Sequence, residues 1–360
     1  MQGTELRCDA SGAHRQQLIE GDGGAFEGRE FFMQPASPGQ TASGPDTSLP
    51  GNLLPGSPLG HRSGPAVLGP EASIIAANAV KGISHIATLP EITLSIIELV
   101  EDPSSSAQDL NKVISNDPAL CSRILKVVNS AFYGLPRQIG SINRAISLLG
   151  LNAVKNLAIA ASLAKLFKGG SLCTRFDAKD LWTHSIATSA ISRVIANTLK
   201  LNFADEAFLA GLIHDIGIMV ELQVDREKLA SVINNLEVDS AGNVVGDFVA
   251  MERSVFGCDH GLFGATLCES WKFPKSFVHA CGHHHDPRSL PPENRTLAWI
   301  VHIADRLSAA NNRGFRLDVT STDISDEALA AIGMSRDQLA TVHSAIPGAL
   351  ETAEATFAGQ

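Results

Sequence analysis

Apolar residues recur at spacings of three and four over most of this chain from about residue 74 onward. This spacing places them on one face of an α-helix and is typical of amphipathic helices. Ile92, Ile96 and Leu99 form one such stripe. No segment shows the sustained two-residue alternation of a half-buried β-strand. The pattern therefore predicts an all-α fold.

Residues with capping preferences mark several of the predicted helix ends. Asp117-Pro118 combines an N-cap with a proline at the first helical position. Ser141 begins a short helix that Gly150 ends. A second helical set begins near Asp177. Its predicted members include a helix at 206–222 and further helices near 259–271, 275–285, 296–311, 326–332, 336–344 and 349–357.

Residues 1–72 differ from the rest of the chain. They are rich in Gly, Pro, Ser and Gln and lack sustained periodicity, so they are predicted to form a disordered tail. Both Met1 and Met33 stay open as the start of the protein. The remaining chain divides, after a glycine pair that ends a helix, into a predicted helical lobe at 73–170 and a helical core at 171–360.

Composition and charge limit the classes of partner. The chain has 360 residues, 44% of them apolar, and a net charge of −10, which argues against a broad nucleic-acid or anionic-membrane surface. Its six cysteines lack C-x-x-C spacing and are typical of reduced thiols in a cytosolic protein. The N-terminus lacks a basic region followed by an apolar run. We therefore expect a cytoplasmic protein with no membrane partner, and nucleic acid is disfavoured.

The pair His214-Asp215, between Gly211 and Gly217, is the first candidate for chemistry. A lone His-Asp pair is more often a satisfied core histidine than a metal ligand. A glycine inside a helix costs about 1 kcal/mol, so two of them indicate close backbone packing or access for an ion. Imidazole with carboxylate suits Mn, Fe, Co, Ni or Zn better than Ca or Mg.

Other donors lie at wide spacing. The apolar face of its helix turns His184 inward. Asp180 lies one turn earlier and is either functional, as a metal ligand or as an acceptor that orients the imidazole, or a solvated carboxylate. His260 is surrounded by small residues. Asp305 lies mid-helix among apolar residues and needs a polar partner or a cation. Three adjacent imidazoles stand at a predicted helix end: His283, His284 and His285.

The order His184, His214-Asp215, Asp305 resembles the HD superfamily of metal-dependent phosphohydrolases, and more closely its HDOD subgroup. The resemblance covers roughly residues 76–312. In the first half it is carried by Asn-Asp-Pro-Ala-Leu at 116–120, by residues 124–131, by Ser-Ile-Asn-Arg-Ala-Ile at 141–146 and by Leu-Leu-Gly at 148–150. In the second half it is carried by Leu181-Trp182-x-His184, residues 210–217, Gly257-Cys258-Asp259-His260, Trp271-Lys272-Phe273-Pro274 and His284-His285-Asp286-Pro287.

The resemblance implies an N-terminal helical lobe packed on an HD-type helical core. It also implies one or two divalent transition-metal ions (Fe, Mn, Ni or Zn), with His214 and Asp215 central to any catalysis. Related HD-GYP phosphodiesterases cleave cyclic di-GMP. Carried over from them, the metal ligands would be His184, His214, Asp215, His260, His284, His285 and Asp305, with Asp180 where those enzymes often carry Glu.

Two departures argue against cyclic di-GMP hydrolysis. HD-GYP enzymes usually carry a lysine where this chain has Ile218, and their Gly-Tyr-Pro segment is replaced at 288–292. Loss of a general acid typically costs about 10²- to 10⁴-fold in rate. We therefore favour a signalling or regulatory protein that binds a nucleotide or cyclic dinucleotide, or a signalling partner in trans, with little turnover. An active metal-dependent phosphohydrolase is the alternative.

Overall fold

A computed structural model describes residues 69–83, 90–102, 104–164, 166–167, 170–240 and 244–357. The predicted disordered tail lies outside the described residues as far as residue 68. Helix α1 begins at Pro70, so residues 70–72, which the sequence pattern assigns to the tail, are helical.

Helices dominate the described residues, as the sequence predicts. The N-terminal half contains α1 (Pro70–Gly82), α2 (Glu91–Glu101), α3 (Ala107–Ser115), α4 (Pro118–Val128), α5 (Ile142–Leu149) and α6 (Leu151–Leu163). The second half contains α7 (Ala178–Thr198), α8 (Ala204–Ile213), α9 (Ile216–Val224), α10 (Arg226–Asn235), α11 (Phe248–Phe256), α12 (His260–Ser270), α13 (Lys275–His283), α14 (Thr296–Ala310), α15 (Asp326–Ala331) and α16 (Arg336–Phe357). The all-α expectation is confirmed.

One small hairpin accompanies the helices and has no counterpart among the predicted elements. Strands β1 (Ser171–Cys173) and β2 (Phe176–Asp177) pair antiparallel. They are too short to show an alternating pattern in the sequence. Asp177, which ends β2, also caps α7 by accepting a hydrogen bond from the Lys179 backbone N–H. The hairpin therefore fixes where α7 begins.

The first half packs around α6. Every residue of this helix from Ala153 to Leu163 is buried, and α2, α4, α5 and α8 pack against it. The predicted caps are confirmed: Asp117 accepts from the Leu120 N–H and Ser141 from the Arg144 N–H. Helix α1 packs instead against α12 and α9.

The second half is organised around α7, which packs against α8, α14 and α16. The predicted helices near 336–344 and 349–357 are one helix, because α16 continues through Pro347. The buried residues Val342, Ile346 and Leu350 keep one stripe across the proline, whose own side is exposed. The carbonyl group that loses its hydrogen bond there can be hydrated.

The stretch Ala204–Val224 is long and apolar enough to cross a membrane by length and composition. However, 89% of its apolar window is buried inside the protein. The core helices of a globular domain pass the same test, so this stretch is weak evidence for a membrane span.

Candidate metal centre

The polypeptide breaks its helical course at His214 and Asp215. The predicted helix at 206–222 is wrong in this respect: α8 ends at Ile213, α9 begins at Ile216, and Asp215 has φ −97° and ψ 14°. Both side chains are fully buried. The break turns the carboxylate of Asp215 away from the helix surface and into the space between four other elements.

Asp215 stands between two groups of imidazoles. Its Oδ2 lies 3.2 Å from His214 Nε2 and 3.6 Å from His184 Nε2. Its Oδ1 lies 3.4 Å from His284 Nε2 and 3.6 Å from His260 Nε2. Neither oxygen has a hydrogen-bond partner among the residues that the structure describes. A buried carboxylate in this position needs positive charge, which a bridged pair of cations would supply.

The first group is completed by Asp305 on α14. Its Oδ1 lies 3.1 Å from His184 Nε2, and His184 Nε2 lies 3.3 Å from His214 Nε2. Ligand atoms of His184, His214 and Asp305 all lie within 4.8 Å of one another. With Asp215 Oδ2, this group offers four donors to one ion.

The second group joins the start of α12 to the end of α13. His260 Nε2 lies 3.3 Å from His284 Nε2 and 2.9 Å from His285 Nε2. Asp318, on the segment after α14, places its Oδ2 3.6 Å from His285 Nε2. These four residues also hold ligand atoms within 4.8 Å of one another.

Hydrogen bonds at the far side of the rings decide which nitrogen faces the centre. His214 Nδ1–H donates to the Gly211 carbonyl oxygen over 2.8 Å, and His284 Nδ1–H donates to that of Cys281 over 2.8 Å. His260 Nδ1–H donates to the carboxylate of Glu252 over 2.8 Å. These acceptors fix the proton on Nδ1 and leave Nε2 with a bare lone pair.

The bare Nε2 atoms of His260 and His284, 3.3 Å apart, repel each other, because neither carries a proton to donate. A cation between them converts this repulsion into ligation. The donors are imidazole and carboxylate, the set that suits divalent Fe, Mn, Ni or Zn. The residues therefore fit the one or two ions that the resemblance implies.

Two glycines bring the helices close enough for this geometry. A Cβ at Gly217 would collide with the backbone carbonyl oxygen of His260 and stand 2.8 Å from the Gly264 nitrogen. A Cβ at Gly211 would stand 2.8 Å from Ser189 Cα, on α7. Close backbone packing, one of the two interpretations of these glycines, is what the structure shows.

The structure brings together seven of the eight predicted ligands and leaves one outside. Asp180 is exposed and does not belong to any of the His and acid groups found among the described residues. Its carbonyl oxygen accepts a hydrogen bond from the Phe315 N–H over 3.0 Å. Of the two interpretations of Asp180, the solvated carboxylate is the one that the geometry supports, because its side chain points to solvent at the first turn of α7.

Two acidic residues of the centre escape prediction from the sequence. Glu252 lies in α11 and is fully buried, so an acid among apolar neighbours is the available signal. Asp318 follows α14 in a segment without periodicity, and its sequence context carries no signal. Contact between distant segments, which only the fold shows, identifies it.

The charged groups of the centre shift the pKa values of His184 and Asp215. Burial lowers the pKa of His184, but the contact with Asp305 and the charges of Asp215 and Asp318 outweigh it and raise the pKa to about 9. Burial acts to raise the pKa of Asp215, yet His214, His284 and His260 hold it well below its usual value. In the metal-free protein the centre therefore retains a proton that an ion would displace.

The His184 titration predicts a pH dependence of stability for the metal-free protein. The pKa is 6.5 in the unfolded chain and about 9 in the fold, so its contribution is complete below pH 6.5 and lost as pH rises toward about 9. We expect the Tm of metal-free protein to fall across this interval in differential scanning fluorimetry. A His184→Gln variant should show a smaller slope, and equal slopes would contradict the assignment.

A cleft opens beside the second group. It has a volume of about 290 Å³ and reaches His285 from the surface. Arg288, Trp299, His302 and Arg306 are among its lining side chains. This volume lies near the lower end of the range for small-molecule pockets. The cleft is therefore large enough to admit part or all of a small molecule.

Comparison with known proteins places the chain in a family. The HDOD domain matches residues 86–287. An uncharacterized protein of Treponema pallidum is 26% identical over 232 residues, which cover 64% of this chain and 44% of that protein. The chain thus spans less than half the length of this curated relative.

Solved structures share the fold at low identity. An HDOD domain protein of unknown function from Geobacter sulfurreducens is 23% identical, covers 79% of this chain and 98% of its own, and has a TM-score of 0.65. A candidate phosphohydrolase from Shewanella amazonensis is 22% identical, covers 78% of this chain and 97% of its own, and has a TM-score of 0.60. At these identities the likeness establishes the fold alone.

Proposed function

The chain belongs to the HDOD family, and from this premise we propose that it is a signalling or regulatory protein whose HD-type centre binds divalent transition metal and a small phosphate-bearing ligand, with little or no turnover. One observation carries the proposal: the two oxygens of Asp215 face two separate imidazole groups and have no other partner among the described residues. Such a carboxylate is suited to bridge two ions.

The identity of residue 218 favours ligand binding over phosphoester hydrolysis. Ile218 is fully buried and apolar, so it can neither donate a proton to a leaving group nor hold a phosphate. The phenol of Tyr133, the only tyrosine, is engaged with Asp205 instead. Bound ions would still attract phosphate oxygens at the centre, because their charge exceeds that of the carboxylates around them.

The cleft at His285 suggests where a ligand would lie. Arg288 is 58% exposed and reaches Asp286 and Glu327, so an anion can exchange for these acidic partners at little cost. Arg306 donates to the carbonyl oxygens of Ser321 and Asp323 and shapes the wall. A nucleotide phosphate could then approach the ions past His285, with its base against the apolar part of the cleft.

Hydrolysis of a phosphoester is the second candidate function. The favourable observation is the arrangement of two donor groups about one carboxylate, because paired ions activate water and neutralise charge on phosphoryl oxygens. In this chain, His184, His214, Asp215 and Asp305 would hold one ion. His260, His284 and His285 would hold the other, with Glu252 orienting His260.

Binding and turnover can be separated with one panel. We expect metal-loaded protein to bind nucleotides or cyclic dinucleotides in calorimetry and to release little product from them. The double variant His214→Ala with Asp215→Ala should lose the metal-dependent binding. Metal-dependent hydrolysis by wild type, absent in the double variant, would establish the enzyme instead. The absence of metal-dependent binding of any of these compounds would contradict the proposed phosphate-bearing ligand.

A pair of arginine variants tests whether the cleft binds the ligand. Arg288→Ala is expected to weaken binding of a phosphate-bearing ligand about tenfold, which is the loss of one partly screened charged contact. Arg226 is likewise exposed, lies at the start of α10 and does not line the cleft. Calorimetry should therefore show no change for Arg226→Ala. Equal affinities for the two variants would remove the cleft from the account.

A further inference from the structure

Asp318 is a buried carboxylate that pairs with no lysine or arginine among the residues that the structure describes. Its side chain has no exposed surface, and neither oxygen accepts a hydrogen bond from any residue that the structure describes. A fold that only needed to fill this space would hold an apolar or amide side chain there at lower free energy.

The segment that carries Asp318 is anchored firmly. Gly314 adopts φ +67°, and a Cβ there would collide with the Asp180 carbonyl oxygen and stand 2.7 Å from the His184 nitrogen. Phe315 donates its N–H to the same Asp180 oxygen, and its ring packs at 5.7 Å from that of Phe248. The segment is thus fastened to the first turn of α7, one turn before His184.

This anchoring directs the carboxylate to the second imidazole group. Ligand atoms of His260, His284, His285 and Asp318 lie within 4.8 Å of one another. Three imidazoles with bare or available nitrogens and one unpartnered carboxylate are therefore aimed at one point. An ion at that point would satisfy all four, and Asp215 Oδ1 would add a fifth donor.

We propose that Asp318 is a metal ligand of this chain, binding the second ion together with His260, His284 and His285, and that the ion thereby ties the segment after α14 to the centre. The proposal rests on the proposed function, since it requires the metal centre. It replaces Asp180, the acidic ligand expected from the resemblance, with an acid much later in the chain. The bound ion would then order the segment after α14, and the ordered segment would position Asp318 for the ion.

An ion bound by Asp318 would also affect the cleft. Residues Asp323, Ile324 and Ser325 of the same segment form one of its walls, and Arg306 holds the segment by the Ser321 and Asp323 carbonyl oxygens. Loss of the second ion would release Asp318 and loosen this wall. Ligand affinity in the cleft is therefore coupled to metal occupancy through the segment as well as through charge.

The test compares Asp318→Asn with Asp323→Asn. Asp323 is an exposed carboxylate of the same segment, so both changes remove one negative charge from it. Each protein is stripped with chelator, loaded with Zn²⁺, freed of excess metal and measured for ions per chain, with affinities from competition against a chromogenic chelator. We expect two ions in wild type and in Asp323→Asn. In Asp318→Asn one ion should bind at least about tenfold more weakly.

Melting temperatures distinguish a ligand from a merely structural acid. The amide removes an unpaired buried charge, so metal-free Asp318→Asn should melt at or above the wild-type temperature. Its gain in Tm on adding Zn²⁺ should be smaller than that of wild type. Amide hydrogen exchange of residues 311–325 should slow with Zn²⁺ in wild type and not in Asp318→Asn.

The outcomes separate the two claims. Wild type without any ion overturns the metal centre and this inference with it. Wild type with two ions and Asp318→Asn with two ions of unchanged affinity overturns only the role of Asp318. A metal-free Asp318→Asn that melts below wild type but gains the same Tm from Zn²⁺ assigns the residue to structure alone and also overturns it.

Discussion

Replacing Asp215 by asparagine is expected to weaken both ions, not one. Its Oδ1 and Oδ2 face different imidazole groups, at 3.4 Å from His284 Nε2 and 3.2 Å from His214 Nε2. The amide keeps the shape but lacks the charge and one of the two acceptor oxygens. Removal of residues that merely orient metal ligands costs about 10- to 100-fold in metal affinity. We therefore expect Asp215→Asn to lower the metal affinity at least about 100-fold at each of the two ion positions. Competition titration with a chelator measures it.

Asp180→Asn is the matched control for this variant. The resemblance predicts Asp180 as a ligand, whereas the structure exposes its side chain and keeps it out of the clusters. Its carbonyl group, which holds Phe315, is unaffected by the change. Two ions of wild-type affinity are expected. A loss at only one position in Asp215→Asn, or any loss in Asp180→Asn, would contradict the geometry.

Replacing Gly217 by alanine is expected to destabilise the fold strongly, although the change adds a single methyl group. The added Cβ would overlap the His260 carbonyl oxygen and stand 2.8 Å from the Gly264 nitrogen, both backbone atoms of α12. Backbone cannot rotate away as a side chain can, so α9 and α12 must separate. We expect a loss of at least about 3 kcal/mol in the free energy of unfolding, the upper part of the range for overpacking. Urea denaturation measures it.

The same change should disturb the metal centre, because α9 follows Asp215 directly and α12 begins with His260. Gly348→Ala serves as the control: it lies within α16, and nothing stands within 4 Å of the added Cβ. Alanine in place of this helical glycine should stabilise by about 0.5–1 kcal/mol. If Gly217→Ala unfolded like wild type, the close approach of α9 and α12 would be refuted.

Periodicity and capping residues are enough to predict most of the helices. Both depend on local sequence, which is why Asp117 and Ser141 can be recognised as N-caps. The predictions fail where tertiary contacts outweigh local preference. The break at His214-Asp215 follows from the need to turn both side chains inward, and helix α16 crosses Pro347 because its buried stripe continues on the other face.

The residues of the candidate site likewise fall into those that the sequence predicts and those that it does not. The resemblance names His184, Asp305 and the other five clustered residues, although their role as ligands stays a prediction. It also names Asp180, because the related enzymes often carry Glu at that position. The spacing of four residues from His184 places both side chains on one helix face but does not say which of them is buried. Asp318 and Glu252 depend on contacts between segments distant in sequence and cannot be found from local pattern.

The central claim is that one carboxylate separates two ion positions, and anomalous scattering measures it most directly. Crystals of the protein loaded with Mn²⁺ or Zn²⁺ would be recorded on either side of the metal absorption edge. The account predicts two anomalous peaks, one beside Asp215 Oδ2 among His184, His214 and Asp305, and one beside Oδ1 among His260, His284 and His285. The absence of any peak at Asp215, or a single peak that both oxygens share, would contradict it.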